Sequence, residues 1–438
     1  MHPKSTCGRR FLAVGLLLAL LPSGAIASPW LVVSDVHYSP FARRAAPSPE
    51  GKDTNETLLR ELFREMRAVD PNPPVVIMPG DFLAHGFPGR AAAQTMARLA
   101  ERFNDVFPHS QFVIALGNGD SACGDYEAPL DGGFLRVVAR AWAPLVNRRG
   151  ASPRFIATFS HDGSYVASLP LPHLRAVVVN DVSASVRYGA RCAGRTNAAA
   201  ALLTRLRAVL RAGQPGEHSW LVFHIPPGFD AFSTAHLAHG LVAIPFMRPG
   251  ARSELLRIID DPQNRVTLVV AGHTHKFSFR ISGTEPFRVP MLLAPSVSPI
   301  FGNAPSFLTL DVEPDGTISD ATEISYRDRH WSTIGDLRSF GARAFTVDEL
   351  LELQERLARD TGLRERFALL YNGGLPGEIT ERNWRSYWCA ATNFTETAFR
   401  SCAPRSGTAL ILVAVGTVVT LAAIAVLLSA VFFRRRRT

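Results

Sequence analysis

The stretch VTLVVAGHTH, residues 266–275, places two histidines directly after a short apolar run. The run is rich in Val and Leu, which is typical of a buried β-strand. Because alternate side chains of an extended chain point to the same side, His273 and His275 can face a common ligand. The stretch therefore predicts a strand that delivers two imidazole groups to one end of a sheet.

The same arrangement recurs along the chain. It is found in WLVVSDVH (30–37), VVIMPGD (75–81), FVIALGNGD (112–120) and WLVFH (220–224). Further strands are predicted at 176–179, 289–293 and 307–312, and helices at 57–69, 91–103, 198–212 and 347–367. Residues 40–52, rich in Pro, Ala and Arg, are predicted to form a surface loop. Apolar strands alternating with helices predict an α/β fold with a buried sheet, and the carboxyl ends of such strands are where sites form.

The residues that follow these strands are of metal-binding types. They are Asp35, His37, Asp81, Asn118, His224, His273 and His275. Imidazole and carboxylate together suit Zn, Fe or Mn. Seven such ligands are too many for one tetrahedral site, so they predict two divalent transition-metal ions with a carboxylate between them.

These motifs also resemble those of a known family. Asp35-x-His37, Gly80-Asp81, Gly117-Asn118, His224 and Gly272-His273-x-His275 resemble the signature of the calcineurin-like metallophosphoesterases. The resemblance implies a two-sheet sandwich flanked by helices and a phosphate-ester substrate. It also implies that Asp35, His37 and His275 hold one metal, that Asn118, His224 and His273 hold the other, and that Asp81 bridges them.

A narrower resemblance concerns the acid sphingomyelinase-like phosphodiesterases. Gly80-Asp81-x-x-x-His85, the Pro295–Pro299 stretch with Gly302-Asn303, and the cysteine-closed end from Tyr387 to Cys402 are similar to features of that group. The resemblance implies a phosphodiesterase in which His85 acts on the leaving group. For the substrate, a phospholipid, a nucleotide and a polyphosphate all stay open.

One position departs from the family pattern. The family usually has a His after the Gly-Asn pair, which helps to orient the phosphate and to donate a proton, and this chain has Gly119. Gly119 supports the alternative of a degenerate, tethered metal-binding protein that has lost turnover, and a phosphomonoesterase stays open as the nearest enzymatic alternative. The complete set of metal ligands argues against the degenerate protein.

Both ends of the chain are apolar. Arg9 and Arg10 precede an apolar run and then the small residues Ala25 and Ala27, which predicts a signal peptide over 1–27, with an uncleaved anchor as the alternative. Residues 408–433 carry no charge and predict a transmembrane helix, with a buried core helix as the alternative. The arginine-rich tail, 434–438, favours the cytoplasmic side. We therefore expect a single-pass membrane protein whose body lies on the exported side, whether periplasmic, lumenal or extracellular.

Between these ends we expect a catalytic domain over 28–325 and a small helical C-terminal region over 326–403. The formal net charge of +9 includes seven basic residues of the two ends, which leaves about +2 on the body, so no nucleic-acid binding is expected. Four cysteines remain after the signal peptide, and an oxidising compartment predicts two disulfides. Of the three possible pairings, Cys389–Cys402 closes a short loop and leaves Cys123–Cys192.

Overall fold

The computed structural model describes residues 28–42, 44–127, 132–189, 198–237 and 242–403. The predicted signal peptide, the transmembrane helix over 408–433, the basic tail and Cys192 lie outside these ranges. Within them, no helix combines the length and the apolar character that crossing a bilayer requires.

Within the described ranges, twelve strands form two six-stranded sheets. In chain order they are β1 (Trp30–Val32), β2 (Val75–Met78), β3 (Gln111–Ile114), β4 (Tyr165–Ser168), β5 (Leu174–Val178), β6 (His218–Val222), β7 (Val266–Ala271), β8 (Ser278–Thr284), β9 (Phe287–Leu293), β10 (Ser306–Val312), β11 (Ile318–Arg327) and β12 (His330–Asp336). The first sheet has the order β12-β11-β10-β1-β2-β3, and the second β4-β5-β6-β7-β9-β8. The strands predicted from the sequence are confirmed to within three residues at either end.

The strands that precede the polar motifs run parallel within each sheet. β1, β2 and β3 pair in parallel in the first sheet, and β5, β6, β7 and β9 do so in the second. Trp30 of the first sheet packs against Trp220 of the second with ring centroids 5.2 Å apart, and both side chains are buried. The two sheets therefore share one apolar core, as in a sandwich.

Helices cover the outer faces of this sandwich. They are α1 (Glu56–Val69), α2 (Gly89–Val106), α3 (Gly133–Val146), α4 (Phe155–Asp162), α5 (Ala198–Arg211), α6 (Pro249–Ile259), α7 (Val347–Arg359), α8 (Thr361–Tyr371), α9 (Trp384–Ala390) and α10 (Glu396–Cys402), with single-turn helices at Arg148–Gly150, Val182–Ala184, Ser233–Leu237, Pro262–Asn264 and Arg338–Phe340. In α1 the side chain of Asn55 accepts a hydrogen bond from the backbone of Leu58 at 2.9 Å, a cap that starts the helix. The apolar face that follows, with Leu62 and Met66, is buried.

The C-terminal region begins with sheet and continues with helices. β12 extends the first sheet beyond residue 325, and the predicted helix over 347–367 is two helices, α7 and α8. The backbone of Asp360 between them is extended, and its side chain accepts a hydrogen bond from Leu363 at 2.9 Å, which begins a new helix. The predicted Cys389–Cys402 disulfide is confirmed, with the Cα atoms 5.7 Å apart. The Cys123–Cys192 pairing involves a residue outside the described ranges.

Candidate metal centre

The structure brings together all seven predicted metal ligands. The first sheet supplies Asp35 and His37 after β1, Asp81 after β2, and Asn118 after β3. The second sheet supplies His224 after β6, and His273 and His275 after β7. Because these parallel strands end at the same side of the sandwich, side chains far apart in sequence meet where the two sheets adjoin.

One group of donor atoms contains Asp35, His37 and His275. Their candidate ligand atoms all lie within 4.8 Å of one another, and the three side chains are buried. Nε2 of His37 lies 3.2 Å from Nε2 of His275, which in turn lies 3.3 Å from a carboxylate oxygen of Asp35. Nδ1 of His37 donates to the carbonyl of Leu83 at 3.0 Å, so its Nε2 presents a lone pair. This group fits the first metal set that the family resemblance implies.

The second group contains Asn118, His224 and His273. Nε2 of His224 lies 3.1 Å from Oδ1 of Asn118 and 3.3 Å from Nδ1 of His273. Nδ1 of His224 donates a hydrogen bond to the carbonyl of Pro79 at 2.8 Å, so Nε2 carries the lone pair that could bind a metal. An amide oxygen and two imidazole nitrogens converge here, a donor set that can bind a transition metal.

Asp81 lies between the two groups. Its Oδ2 is 3.4 Å from Nε2 of His37 and 3.2 Å from Nε2 of His224. Its Oδ1 accepts a hydrogen bond from the backbone of Gly119 at 2.7 Å, which fixes the carboxylate plane. One oxygen of Asp81 thus faces both ligand groups, and the donor set as a whole fits a pair of metal ions.

The ligands are held by unusual backbone conformations. Asp35, His37, Asp81, His273 and His275 have φ angles of 49°, 42°, 55°, 71° and 61°, in the left-handed region that side chains other than glycine rarely adopt. Each such residue costs on the order of 1–3 kcal/mol, which the surrounding fold must offset. Conformational strain concentrated on ligand residues is typical of a functional site.

The glycines of the motifs allow the ligand loops to approach one another. Gly80 has φ 110°, and a Cβ there would lie 2.7 Å from the backbone nitrogen of Gly117 and 2.8 Å from Nδ1 of His224. A Cβ on Gly272 would overlap the hydroxyl of Ser34. Glycine before a ligand is thus a steric requirement of this centre.

Two buried carboxylates that the sequence analysis did not single out support the centre. Asp120 accepts hydrogen bonds from three backbone N–H groups of the Asp81 and Asn118 loops at 2.8–3.1 Å, and Asp181 accepts from the backbone of His224 at 3.3 Å. Burial raises the pKa of each to about 7. Burial lowers the pKa of His224, but Asp81 and other carboxylates outweigh this and raise it to about 10. Buried carboxyl groups thus crowd around the centre, and bound cations would neutralise their ionised forms.

His85, the predicted acid, lies beside the first ligand group. Its ring stacks on that of His37 with centroids 4.2 Å apart. Asp53 accepts hydrogen bonds from both the backbone nitrogen (2.8 Å) and Nδ1 (3.0 Å) of His85. Burial lowers the pKa of His85, but the carboxylate of Asp53 outweighs it, so the net shift is upward. Sequence analysis missed Asp53, because a single acid after a polar loop carries no recognisable pattern.

The Pro295–Pro299 stretch contacts the loops that carry Asp35 and Asp53. The hydroxyl of Ser296 donates to the carbonyl of Asp35 at 2.9 Å, and the hydroxyl of Ser298 donates to Oδ1 of Asp53 at 3.2 Å. Phe301 follows and packs edge-on against His275 and His85, with centroids 4.6 and 5.5 Å away. This stretch therefore positions both a metal ligand and the carboxylate behind His85.

A cavity of about 790 Å³ adjoins the centre. His273, Tyr126, Phe246 and Phe301 line it near the ligands, and aromatic residues of the C-terminal helices, Phe367, Tyr371, Trp384, Tyr387 and Trp388, line its far side. The helical C-terminal region is thus one wall of a largely apolar space that opens beside the second ligand group.

The sequence of this chain is similar to known phosphoesterases. The family model for calcineurin-like phosphoesterases matches residues 28–277. Sphingomyelinase phosphodiesterase D of Dictyostelium discoideum is 26% identical over 268 residues, which are 59% of this chain and 56% of that protein. Acid sphingomyelinase-like phosphodiesterase 3b of Mus musculus is 23% identical over 296 residues, 66% of this chain and 60% of that protein. The chain thus spans little more than half the length of these curated relatives. Among solved structures, a dimetal phosphatase from Danio rerio aligns with 14% identity and a TM-score of 0.41, over 70% of this chain and 98% of that chain.

Proposed function

The chain belongs to the calcineurin-like phosphoesterase family, and we propose that it is a metal-dependent phosphodiesterase of the acid sphingomyelinase-like type. The observation that carries the proposal is the position of Asp81. One of its oxygens lies 3.4 Å from His37 and 3.2 Å from His224, which belong to separate ligand groups. Two ligand groups around one shared carboxylate are suited to holding a phosphoryl group between two ions.

The residues of the centre have distinct tasks. Asp35, His37 and His275 would hold one ion, Asn118, His224 and His273 the other, and Asp81 both. When bound, the two ions would supply neutralisation of phosphoryl charge and activation of a water molecule. The carbonyls of Leu83 and Pro79 fix the tautomers of two histidines, so that the Nε2 atoms stay available as ligands.

His85 would protonate the leaving oxygen. Because Nδ1 donates to Asp53, the proton to be transferred is the one on Nε2. The raised pKa of His85 favours the protonated ring that this role requires. Positioned acids of this kind contribute about 10²–10⁴-fold to rate.

The adjoining cavity favours a diester with a bulky substituent. Its aromatic lining could accommodate the non-phosphate part of a phospholipid or a nucleotide. A polyphosphate would find less support, because basic residues of the lining such as Lys276 and Arg364 are already paired with acids. The names of the two curated relatives describe phosphodiesterases, which supports a diester over a monoester. A degenerate metal-binding protein is the second candidate, because Gly119 lacks the side chain that the family uses on the phosphate.

A turnover measurement tests the proposal. Detergent-solubilised full chain, reconstituted with Mn or Zn, should hydrolyse bis-p-nitrophenyl phosphate faster than p-nitrophenyl phosphate. Asp81→Asn is the matched control, because it keeps the size of the side chain and removes the shared charge. Metal binding without any turnover of either substrate would support the degenerate protein. Faster turnover of the monoester would support a phosphomonoesterase.

We also propose that the catalytic body is exported and tethered by the C-terminal helix. The support is the apolar run before Ala27 and the uncharged stretch over 408–433, followed by arginines. Protease added outside intact cells should digest the body and leave a membrane-bound tail fragment. A body that stays protected after any outer envelope has been permeabilised would contradict this topology.

A further inference from the structure

The missing histidine leaves a gap beside the bridging carboxylate. Gly119 does not have a positive φ, so its backbone does not require glycine. A Cβ there would first meet Oδ1 of Asp81 at 3.3 Å and the carbonyl of Leu83 at 3.4 Å, contacts that a shift of a few tenths of an ångström relieves. The fold therefore does not require glycine at position 119. The space that a histidine side chain would fill is left open, so another group can contact the phosphate there.

Arg187 lies on the same side of the centre. Its guanidinium lies over the ring of Tyr126 at 4.2 Å, and its Nη1 donates to the hydroxyl of Tyr126 at 3.2 Å. The ring of Tyr126 packs edge-on to the ligand His273, with centroids 6.2 Å apart. The backbone nitrogen of Tyr126 donates to the carbonyl of the ligand Asn118 at 2.9 Å. One aromatic ring therefore separates this cation from the second ligand group.

Asp125 connects Arg187 to the centre a second time. Its Oδ1 accepts from Nδ2 of Asn118 at 2.7 Å, and its Oδ2 lies 3.7 Å from Nη2 of Arg187. The latter distance exceeds that of a hydrogen bond, and both side chains are exposed, so this ion pair is loose. The guanidinium keeps N–H groups for another acceptor.

The other cations that line the described part of the cavity are already engaged. Lys276 contacts Glu378 and Asn372, and Arg280 donates to the carbonyls of Pro227 and Phe229. Arg364 is paired with Glu381 and only 12% exposed, whereas the side chain of Arg187 is 65% exposed. Arg187 is thus the cation that an incoming anion can reach.

We infer that Arg187 binds a non-bridging oxygen of the substrate's phosphoryl group, in the role left open by Gly119. A guanidinium is a strong partner for phosphate, because it presents several N–H groups in one plane and stays charged at every physiological pH. This inference rests on the proposed function and adds a residue for phosphate recognition to it.

The test measures the binding of inorganic phosphate to the full chain loaded with Mn, by calorimetry. Arg187→Ala should weaken phosphate binding about 10-fold or more, because a charge-assisted hydrogen bond is lost. Its metal content should stay unchanged. Arg248→Ala is the matched control, since that guanidinium also stacks on a tyrosine, Tyr188 at 5.4 Å, but does not line the cavity. Adding Gly119→His to Arg187→Ala should restore part of the affinity.

The outcomes separate this inference from the proposed function. Wild-type chain that hydrolyses diesters, together with an Arg187→Ala variant of unchanged phosphate affinity, would overturn the role of Arg187 alone. A fall in metal content of the variant would also overturn it, because Arg187 would then act through Asp125 and Asn118. Wild-type chain that holds two metals but neither binds phosphate nor turns over substrate would refute both proposals.

Discussion

Replacing Asp53 with Asn should slow the hydrolysis of alkyl phosphodiesters about 10–100-fold. Asp53 accepts two hydrogen bonds from His85, at 2.8 and 3.0 Å, and one from Ser298 at 3.2 Å. Asn has the same shape but no charge and one acceptor oxygen, so it cannot keep both bonds to His85. A hydrogen bond to a charged group is worth about 1.5–3 kcal/mol, and about 1.4 kcal/mol corresponds to a factor of ten in rate.

The assay compares two leaving groups on the same enzyme. An alkoxide needs the proton from His85, whereas p-nitrophenolate leaves without it, so only the alkyl diester should be slowed. His85→Ala sets the upper limit, about 10²–10⁴-fold, because it removes the acid altogether. Asp70→Asn is the matched control. The carboxylate of Asp70 accepts a hydrogen bond from the backbone N–H of Asn72 at 2.8 Å, and it lies at the C-terminal end of α1, whereas Asp53 lies just before the N-terminal end.

A different pattern would refute the role of Asp53. Candidate donor atoms of Asp53, His85 and the ligand His37 lie within 4.8 Å of one another, so the substitution could also disturb metal binding. Elemental analysis of the variant checks this. Equal losses on both leaving groups, or a loss of metal, would show that Asp53 acts on binding rather than on proton transfer.

Three further outcomes are expected. Wild-type chain should carry close to two transition metals, and Asp81→Asn should lower the occupancy of both sites, as measured by elemental analysis; a chain that binds none after reconstitution would contradict the metal centre. Cys402→Ala should lower the free energy of unfolding in urea by about 2–4 kcal/mol, because it opens the Cys389–Cys402 bridge; an unchanged transition midpoint would contradict this. Burial raises the pKa of Glu323 from 4.5 to about 8, so the folded chain keeps a proton that the unfolded chain releases, and stability should fall as pH rises from 5 to 8. Urea unfolding at pH 5 and pH 8 measures this fall in stability, which should be smaller in the Glu323→Gln variant than in the wild type. An equal fall in the two proteins would be inconsistent with a buried, protonated Glu323.

Local sequence patterns predicted the strands of this protein and the polar side chains that gather at one end of them. Each candidate metal ligand follows a short apolar run, and both the run and its polar end can be recognised without knowledge of the partner strands. The Cys389–Cys402 bridge was also predictable from local sequence, because the two cysteines are only 13 residues apart. The helix over 347–367 shows the limit of this approach, since its apolar spacing continues across Asp360, where an extended backbone and a new cap divide it.

The tertiary structure alone decided how these residues act together. Asp53 and Asp125 gain their roles from partners brought close by the fold, so neither is marked by its own neighbours in the sequence. The left-handed backbone at Asp35 and Asp81 is likewise imposed by the packing of the loops around them. Sequence therefore determined which side chains reach the end of the sandwich, because strand formation is local. Their orientation, tautomers and charge balance depended on contacts between the two sheets, because burial and hydrogen bonding at the centre arise only after they pack.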